Sequence, residues 1–205
     1  MTDITPPLQH FVSTLMQDYA QEHIQPAVDF LQPLVHQQVL AEKEHLIEAG
    51  NIADEMYFIV QGIFRVYYLD HNGNEINQQF YLDGESISHV LSVKGEVPCS
   101  FYLQALTEST VLVANSQVLY QQGKNNVAWL NVENAIFREL FIKTARREAK
   151  MLLGNAEQRY RWFLKESPEL AEKLPLYQIA SYLGVTPVSL SRLRKKLNQS
   201  SASDD

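Results

Sequence analysis

The chain has 205 residues, 45% of them hydrophobic, which is enough for one mid-sized core or two small ones and excludes wholesale disorder. Its single cysteine, Cys99, excludes an intramolecular disulfide, a cysteine-rich zinc site and an iron–sulfur cluster held by four thiolates of one chain. The net charge of −7 is uneven: residues 173–205 carry five Lys/Arg against Asp204 and Asp205, a net +3, which leaves −10 on the 172 residues before them.

That asymmetry predicts an acidic body carrying a basic reader. The opening MTDITPPLQHF has no basic stretch followed by an apolar core, so no signal peptide is expected. No apolar run approaches the ~18 residues of a membrane span. With one cysteine fitting a reducing compartment, the expected location is the cytoplasm, with no membrane partner.

Residues 8–34 read as helix in two pieces, with Phe11, Leu15 and Tyr19 at spacings of four and Pro26 opening the second. From Val35 to about Ala114 the pattern changes to short apolar or alternating runs cut by turns. Tyr57-Phe58-Ile59-Val60 ends at Gly62, and Phe64 to Leu69 meets Asp70-His71-Asn72-Gly73-Asn74, whose Asn-Gly is a strong hairpin signal. Glu75 to Leu82 returns to Asp83-Gly84, and Tyr102 to Leu106 and Thr110 to Ala114 flank a further turn. Short strands at this spacing predict an antiparallel barrel or jelly roll.

Helix resumes near Asn126 and runs to about Leu153. Leu130, Asn134, Phe137, Phe141, Thr144, Glu148 and Met151 follow 4-3-4-3-4-3 spacing, a heptad seam suited to pairing with a second copy. Gly154 breaks this helix as a plausible hinge, Asn155 caps the next (Ala156 to Glu166), and Ser167-Pro168 opens another.

Leu176 to Lys195, LYQIASYLGVTPVSLSRLRK, has the spacing of a helix-turn-helix. Ala180 is small where two helices cross, and Gly184 suits a turn that needs positive φ. Ile179, Leu183, Val185, Leu190 and Leu193 take the apolar positions, and Thr186-Pro187 reads as an N-cap with proline at the first helical position. The second helix presents hydroxyls and cations, and no acidic residue occurs before Asp204. Thr186, Ser189, Ser191, Arg192, Lys195 and Lys196 are therefore the expected DNA contacts, with Arg192 able to reach guanine and the others placed for phosphates.

Helical lead-in, jelly roll, long seam helix and terminal helix-turn-helix, in this order, resemble the Crp/Fnr family of bacterial transcription regulators. The resemblance covers nearly the whole chain. It is carried by Gly50…Tyr57-Phe58-Ile59-Val60-Gln61-Gly62, by Asn72-Gly73 with Glu75, by Tyr81-Leu82-Asp83-Gly84-Glu85 and by Ala105-Leu106-Thr107…Val111. It implies an α+β chain: a cyclic-nucleotide-binding-like jelly roll with N-terminal helices (1–125), a dimerisation helix (126–153) and a helix-turn-helix domain (154–198). In departure from the family, that last domain reads as all-helical without a wing, and the polar tail (199–205) is expected to be disordered.

The resemblance also implies a cassette that grips a cyclic phosphate, with ligand-pocket candidates Gly84, Glu85, Ser88, His89, Cys99, Ser100 and Thr144. Laid on this chain without a gap, the family's glycine becomes Ser88, its glutamate His89 and its phosphate-binding arginine Cys99, and its serine survives as Ser100. A buried phosphodiester needs a fixed cation, and leaving it unpaired costs several kcal/mol. Thr144 matches an adenine-contacting threonine, but Ala145 replaces its serine partner. Cyclic AMP is therefore not the expected ligand, and the effector stays open.

Haem would need an axial His36, His45, His71, His89 or Cys99. Cys99 itself reads as a small buried apolar residue, because no nearby cation lowers its pKa. A metalloenzyme on the same jelly roll would need His-x-His, which occurs nowhere, so neither a catalytic residue nor a metal site is expected. The reading is a homodimeric, sequence-specific regulator, paired through Phe137, Phe141, Thr144, Glu148 and Met151, with double-stranded DNA as partner. RNA polymerase and a small-molecule effector are further partners the resemblance implies. The alternative is a protein-interaction module on the same fold.

Overall fold

The computed structural model describes residues 3–88 and 97–201. They form two compact units, one comprising the chain up to Tyr68 with Gln78–Leu140, the other Leu69–Asn77 with the chain from Phe141 onward.

In the first unit, α1 (Thr5–Leu15) and α2 (Ile24–Leu31) lead in. The α2 sequence buries Ile24, Ala27, Val28 and Leu31, the i, i+3, i+4, i+7 stripe of a helix with one apolar face. Pro26 falls within its first turn, where a missing N–H costs nothing. Eight strands follow: β1 (His36–Leu40), β2 (His45–Ile47), β3 (Glu55–Gln61), β4 (Phe64–Leu69), β5 (Glu75–Tyr81), β6 (Ser86–Ser88), β7 (Tyr102–Ala105) and β8 (Ser109–Asn115). They make two four-stranded sheets, ordered β1-β8-β3-β6 and β2-β7-β4-β5, the expected jelly roll. Then come α3 (Ser116–Gly123) and α4 (Val127–Leu153).

The pleat of β3 builds two cores. Tyr57 and Ile59 join Phe64, Val66, Leu103 and Val113 inside the barrel. Met56 and Phe58 point the other way and pack with Phe11, Val28, Leu119, Trp129 and Val132 under the helices. Tyr57 pairs with Val113 and Phe58 with Leu112 across the β3–β8 ladder, so register fixes both cores at once. The β3–β4 turn requires glycine: Gly62 sits at φ +122°, and a Cβ there would overlap the Ser109 side chain.

The second unit contains α5 (Ala156–Glu166), α6 (Pro168–Lys173), α7 (Leu176–Leu183) and α8 (Pro187–Ser201). Asn155 caps α5 reciprocally: its Oδ1 accepts from Gln158 N, and Gln158 Oε1 accepts from Asn155 N, both at 3.0 Å. The turn Leu69–Asn77 also lies in this unit. Asp70 Oδ1 accepts from the backbone N–H of Asn72 at 2.8 Å and Asn74 at 2.9 Å, which closes the expected Asn-Gly turn. Those bonds, led by the Asn74 side chain, hold the Asp70 carboxyl below its ordinary pKa.

The segment expected to be disordered from residue 199 is helical through Ser201, because Leu197-Asn198-Gln199-Ser200-Ser201 holds no glycine or proline to stop α8. The rest of that tail, 202–205, lies outside the described residues. A helix after β8 was not foreseen, although Asn115 caps it with Oδ1 accepting from Val118 N at 3.0 Å. The seam helix is divided between the two units, at Leu140/Phe141.

The second unit is tied together by Arg159. Its Nε donates to Gly154 O at 2.9 Å, Nη2 to Met151 O at 2.8 Å and Nη1 to Leu183 O at 3.2 Å. These are carbonyls at the C-terminal ends of α4 and α7, which have no partner within their own helices. Arg159→Met keeps the length of the side chain and removes all three bonds. It should cost about 2–4 kcal/mol of unfolding free energy. Guanidinium titration followed by circular dichroism measures it.

Candidate functional site

The sequence-predicted DNA contacts come together on one side of the second unit. Gly184 takes the left-handed conformation (φ +66°) at the end of α7, and its N–H bonds back to Ala180 and Ser181 carbonyls. Ala180 is fully buried at the position where α7 needs a small side chain, and Leu183 and Leu190 are buried with it. Thr186 Oγ1 accepts from Ser189 N at 3.1 Å, so it is the N-cap of α8, and its own proton goes to Ser189 Oγ at 2.8 Å. Thr186, Ser189, Ser191, Arg192, Lys195 and Lys196 are all exposed. Val188 stands among them, 60% exposed.

One of these cations has a protein partner. Lys196 Nζ lies 3.1 Å from Glu157 Oε2, while Arg161 holds the other oxygen of the same carboxylate at 3.0 Å. The Lys196 and Arg161 hydrogen bonds keep the exposed Glu157 carboxyl below its usual pKa. Solvent screens this pair, so it holds Lys196 only weakly.

The cassette candidates do not form one cluster. Gly84 (φ +81°) and Glu85 build the turn that leads into β6. Gly84 N donates to Ile59 O at 2.9 Å, and Glu85 Oε2 accepts from Leu82 N at 2.8 Å. On β6, Ile87 packs into the barrel core, whereas Ser88 opens on the opposite side toward α3 and α4. Cys99 is buried in the barrel core, with Sγ 3.5 Å from Phe101 O, and burial pushes its thiol pKa up. Ser100 is exposed. His89 lies outside the described residues. Thr144 is exposed and belongs to the second unit.

Of the buried polar side chains in the sheets, none was foreseen, and Arg65 and Gln79 stand out. Arg65 is 4% exposed, but it lies on the face of β4 opposite Phe64 and Val66. There Nε and Nη2 both donate to Gln104 Oε1, at 2.8 and 2.6 Å, and the guanidinium stacks 4.1 Å from the Tyr67 ring. A cation inside the apolar run Phe64–Leu69 was the available signal. Gln79 shares the face of β5 that carries Tyr81 into the barrel core, and its buried Oε1 has no partner among the described residues. Among the described residues no group of three metal-ligating side chains occurs, and no helix is long and apolar enough to cross a membrane.

Along α4 the seam mixes apolar and polar side chains, most of them exposed. Phe137 is 44% and Phe141 75% exposed, Glu148 is exposed and Met151 half-buried.

With this geometry in hand, residues 37–126 match the family model of the cyclic nucleotide-binding domain. Solved structures share this fold. FixK2 from Bradyrhizobium japonicum superposes with a TM-score of 0.71 at 18% identity, over 82% of this chain and 86% of that one. A protein described as a transcriptional regulator of the Crp/Fnr family from Eubacterium rectale gives 0.64 at 14%, over 91% and 87%. The chain has the Crp/Fnr fold. Another protein with this fold, the c-di-GMP-responsive global regulator CLP from Xanthomonas campestris, gives 0.66 at 14%, over 86% and 93%. None of the curated proteins matches the chain by sequence.

Proposed function

We propose that this protein is a homodimeric, sequence-specific DNA-binding transcription regulator of the Crp/Fnr type, acting in the cytoplasm and without catalytic activity. The observation that carries the reading is the α7–Gly184–α8 unit. It has a buried inner face at Ala180, Leu183 and Leu190 and an outer face of exposed hydroxyls and cations. A helix of that character enters the major groove with its N-terminal residues toward the bases. Arg192 offers a bidentate fork to guanine, Val188 an apolar contact for a thymine methyl, and Lys195 and Lys196 attraction to phosphates. RNA polymerase and a small effector are the further partners this reading carries.

Affinity for an enriched duplex, selected from a random pool and measured by fluorescence anisotropy, tests it. Arg192→Ala should cost about 1–3 kcal/mol and relax preference at one base pair of each half-site. Lys195→Ala should weaken all duplexes alike and lower the salt slope by about 1 per monomer. Salt-independent affinity, or indifference to Arg192→Ala, would instead favour a protein-binding module.

Pairing through α4 is part of the same reading. Two half-sites ~34 Å apart need two recognition helices held at fixed spacing. Phe141→Glu places a charge in the seam, and sedimentation should show a shift to monomer with a loss of at least about tenfold in duplex affinity.

The effector we infer is not cyclic AMP. Among the described cassette residues no cation faces the barrel interior: Cys99 stands where the family's arginine would be, and Arg65 is committed to the outer face. Gln79 would suit a donor group better than a phosphate. Calorimetry with cyclic AMP should give no binding tighter than about 1 mM, and a micromolar Kd would overturn this part.

A further inference from the structure

Outside the barrel, between the sheet of β3 and β6 and the helices, lies a cavity of about 50 Å³ whose sheet side is Met56 and Ser88. One water needs roughly 10–15 Å³ on this scale, so the space suits a compact group of a few heavy atoms and not a nucleotide. It is not the nucleotide position of the fold, because Met56 faces away from the barrel core into which the neighbouring Tyr57 points.

Three aromatic side chains line it, Tyr120 from α3 and Trp129 and Phe137 from α4, together with Ser116 and Glu133. Ser116 is only 6% exposed, and its Oγ has no partner among the described residues. A buried hydroxyl left without a partner costs about 1–3 kcal/mol, so something must meet it there. Glu133 takes a hydrogen bond from Trp129, and burial still pushes its carboxyl above the ordinary pKa. Its remaining lone pairs are available for a further donor.

We propose that this cavity binds a small primary alkylammonium ion, with N–H groups donated to Glu133 and Ser116 and carbons against the Trp129, Tyr120 and Phe137 rings. Each alternative class leaves a group unsatisfied. An anion would be repelled by Glu133, and a neutral hydrocarbon would leave the buried Ser116 hydroxyl without a partner. A water satisfies Ser116 but gains nothing from three aromatic faces, whose negative quadrupoles favour a cation. A multivalent metal would need more ligands than one carboxylate and one hydroxyl. The site uses none of the proposed DNA contacts and shares only Phe137 with the proposed seam.

The full-length chain carrying Trp162→Phe retains Trp129 as its sole tryptophan, so fluorescence reports the cavity directly. Titration with n-butylammonium should give a saturable change, matched by calorimetry. 1-Butanol, which lacks the charge, and tetramethylammonium, which lacks N–H, should each bind at least about tenfold more weakly. Glu133→Gln should weaken n-butylammonium at least about tenfold, and Ser116→Ala about three- to tenfold. The proposal is overturned if no saturation appears below ~10 mM, if butanol or tetramethylammonium binds as well as n-butylammonium, or if Glu133→Gln leaves affinity unchanged. Should Glu133→Gln fail to fold by circular dichroism, Ser116→Val decides. It fills the hydroxyl site with a methyl, and undiminished binding by that variant overturns the proposal.

Discussion

Strand β3 has no solvent face, and most of the first unit follows from that. Tyr57 and Ile59 are committed to the barrel interior, and Met56 and Phe58 to the layer beneath the helices. Each fully buried side chain of this size contributes about 1.5–3 kcal/mol. A slip of one residue would exchange the two sets, moving Tyr57 and its hydroxyl into the helical layer and Met56 into the barrel. The ladder to β8 prevents this, because β8 is itself buried on both faces, with Val111 and Val113 in one core and Leu112 and Ala114 in the other. The Tyr57 hydroxyl, donating to Glu55 Oε2 at 2.8 Å, adds a polar lock at the strand edge. The barrel interior and the outer cavity are thus two consequences of one register.

The second unit buries Phe163, Leu170, Ile179, Leu183 and Leu190, and hydrogen bonds to backbone carbonyls fix how its helices are oriented. Arg159 joins the ends of α4 and α7, and Arg147 Nη2 adds a bond to Tyr182 O at 3.2 Å while its guanidinium lies 4.9 Å from the Tyr182 ring. Asn77 and Gln178, both buried, fasten the Leu69–Asn77 turn to α7. Asn77 Nδ2 donates to Gln178 O at 3.0 Å and to its side-chain oxygen, Asn77 N donates to Ser181 Oγ at 3.0 Å, and Ser181 Oγ donates to Glu75 O at 3.0 Å. Each of these bonds fixes α7 in rotation as well as position. The orientation of α8 follows, because Gly184 and the buried pair Leu183 and Leu190 leave the two helices one way to cross. The geometry of the α7–α8 pair therefore depends on directional contacts as well as on its buried face.

Legibility in the sequence tracks the locality of the cause. The helix-turn-helix was readable because its constraints sit within twenty residues: Ala180 for the crossing, Gly184 for positive φ, Thr186 for the cap. The Asn72-Gly73 turn and the Asn155 cap were readable for the same reason. Strands β2 and β6, three residues each, were not, since they owe their conformation to partners such as Gln104 and Met56 that are distant in sequence. The cassette candidates carried over by resemblance separated once side-chain direction was known: Ser88 and Ile87 are neighbours in sequence but face opposite sides of a sheet. Arg65, Gln79 and Arg159 act through contacts that no local pattern announces. Arg159 in particular looks like any exposed cation of a charged helix until the carbonyls of Met151 and Leu183 come within reach.

The proposed DNA reading places a weak reader on an acidic body, and the charge distribution then favours pairing. Residues 173–205 are net +3 and the remainder −10. At physiological salt, charges beyond about 8 Å are largely screened, so the acidic body repels a duplex weakly while the exposed Arg192 and Lys195 act at contact range. One copy still offers few phosphate contacts, and non-specific attraction scales with their number. A second copy doubles the contacts without placing more like charge on a single reader. The exposed apolar line of Phe137 and Phe141 is the surface on α4 that could provide that second copy by burying carbon against carbon. In this reading the seam helix supplies much of the affinity that the short recognition helix lacks.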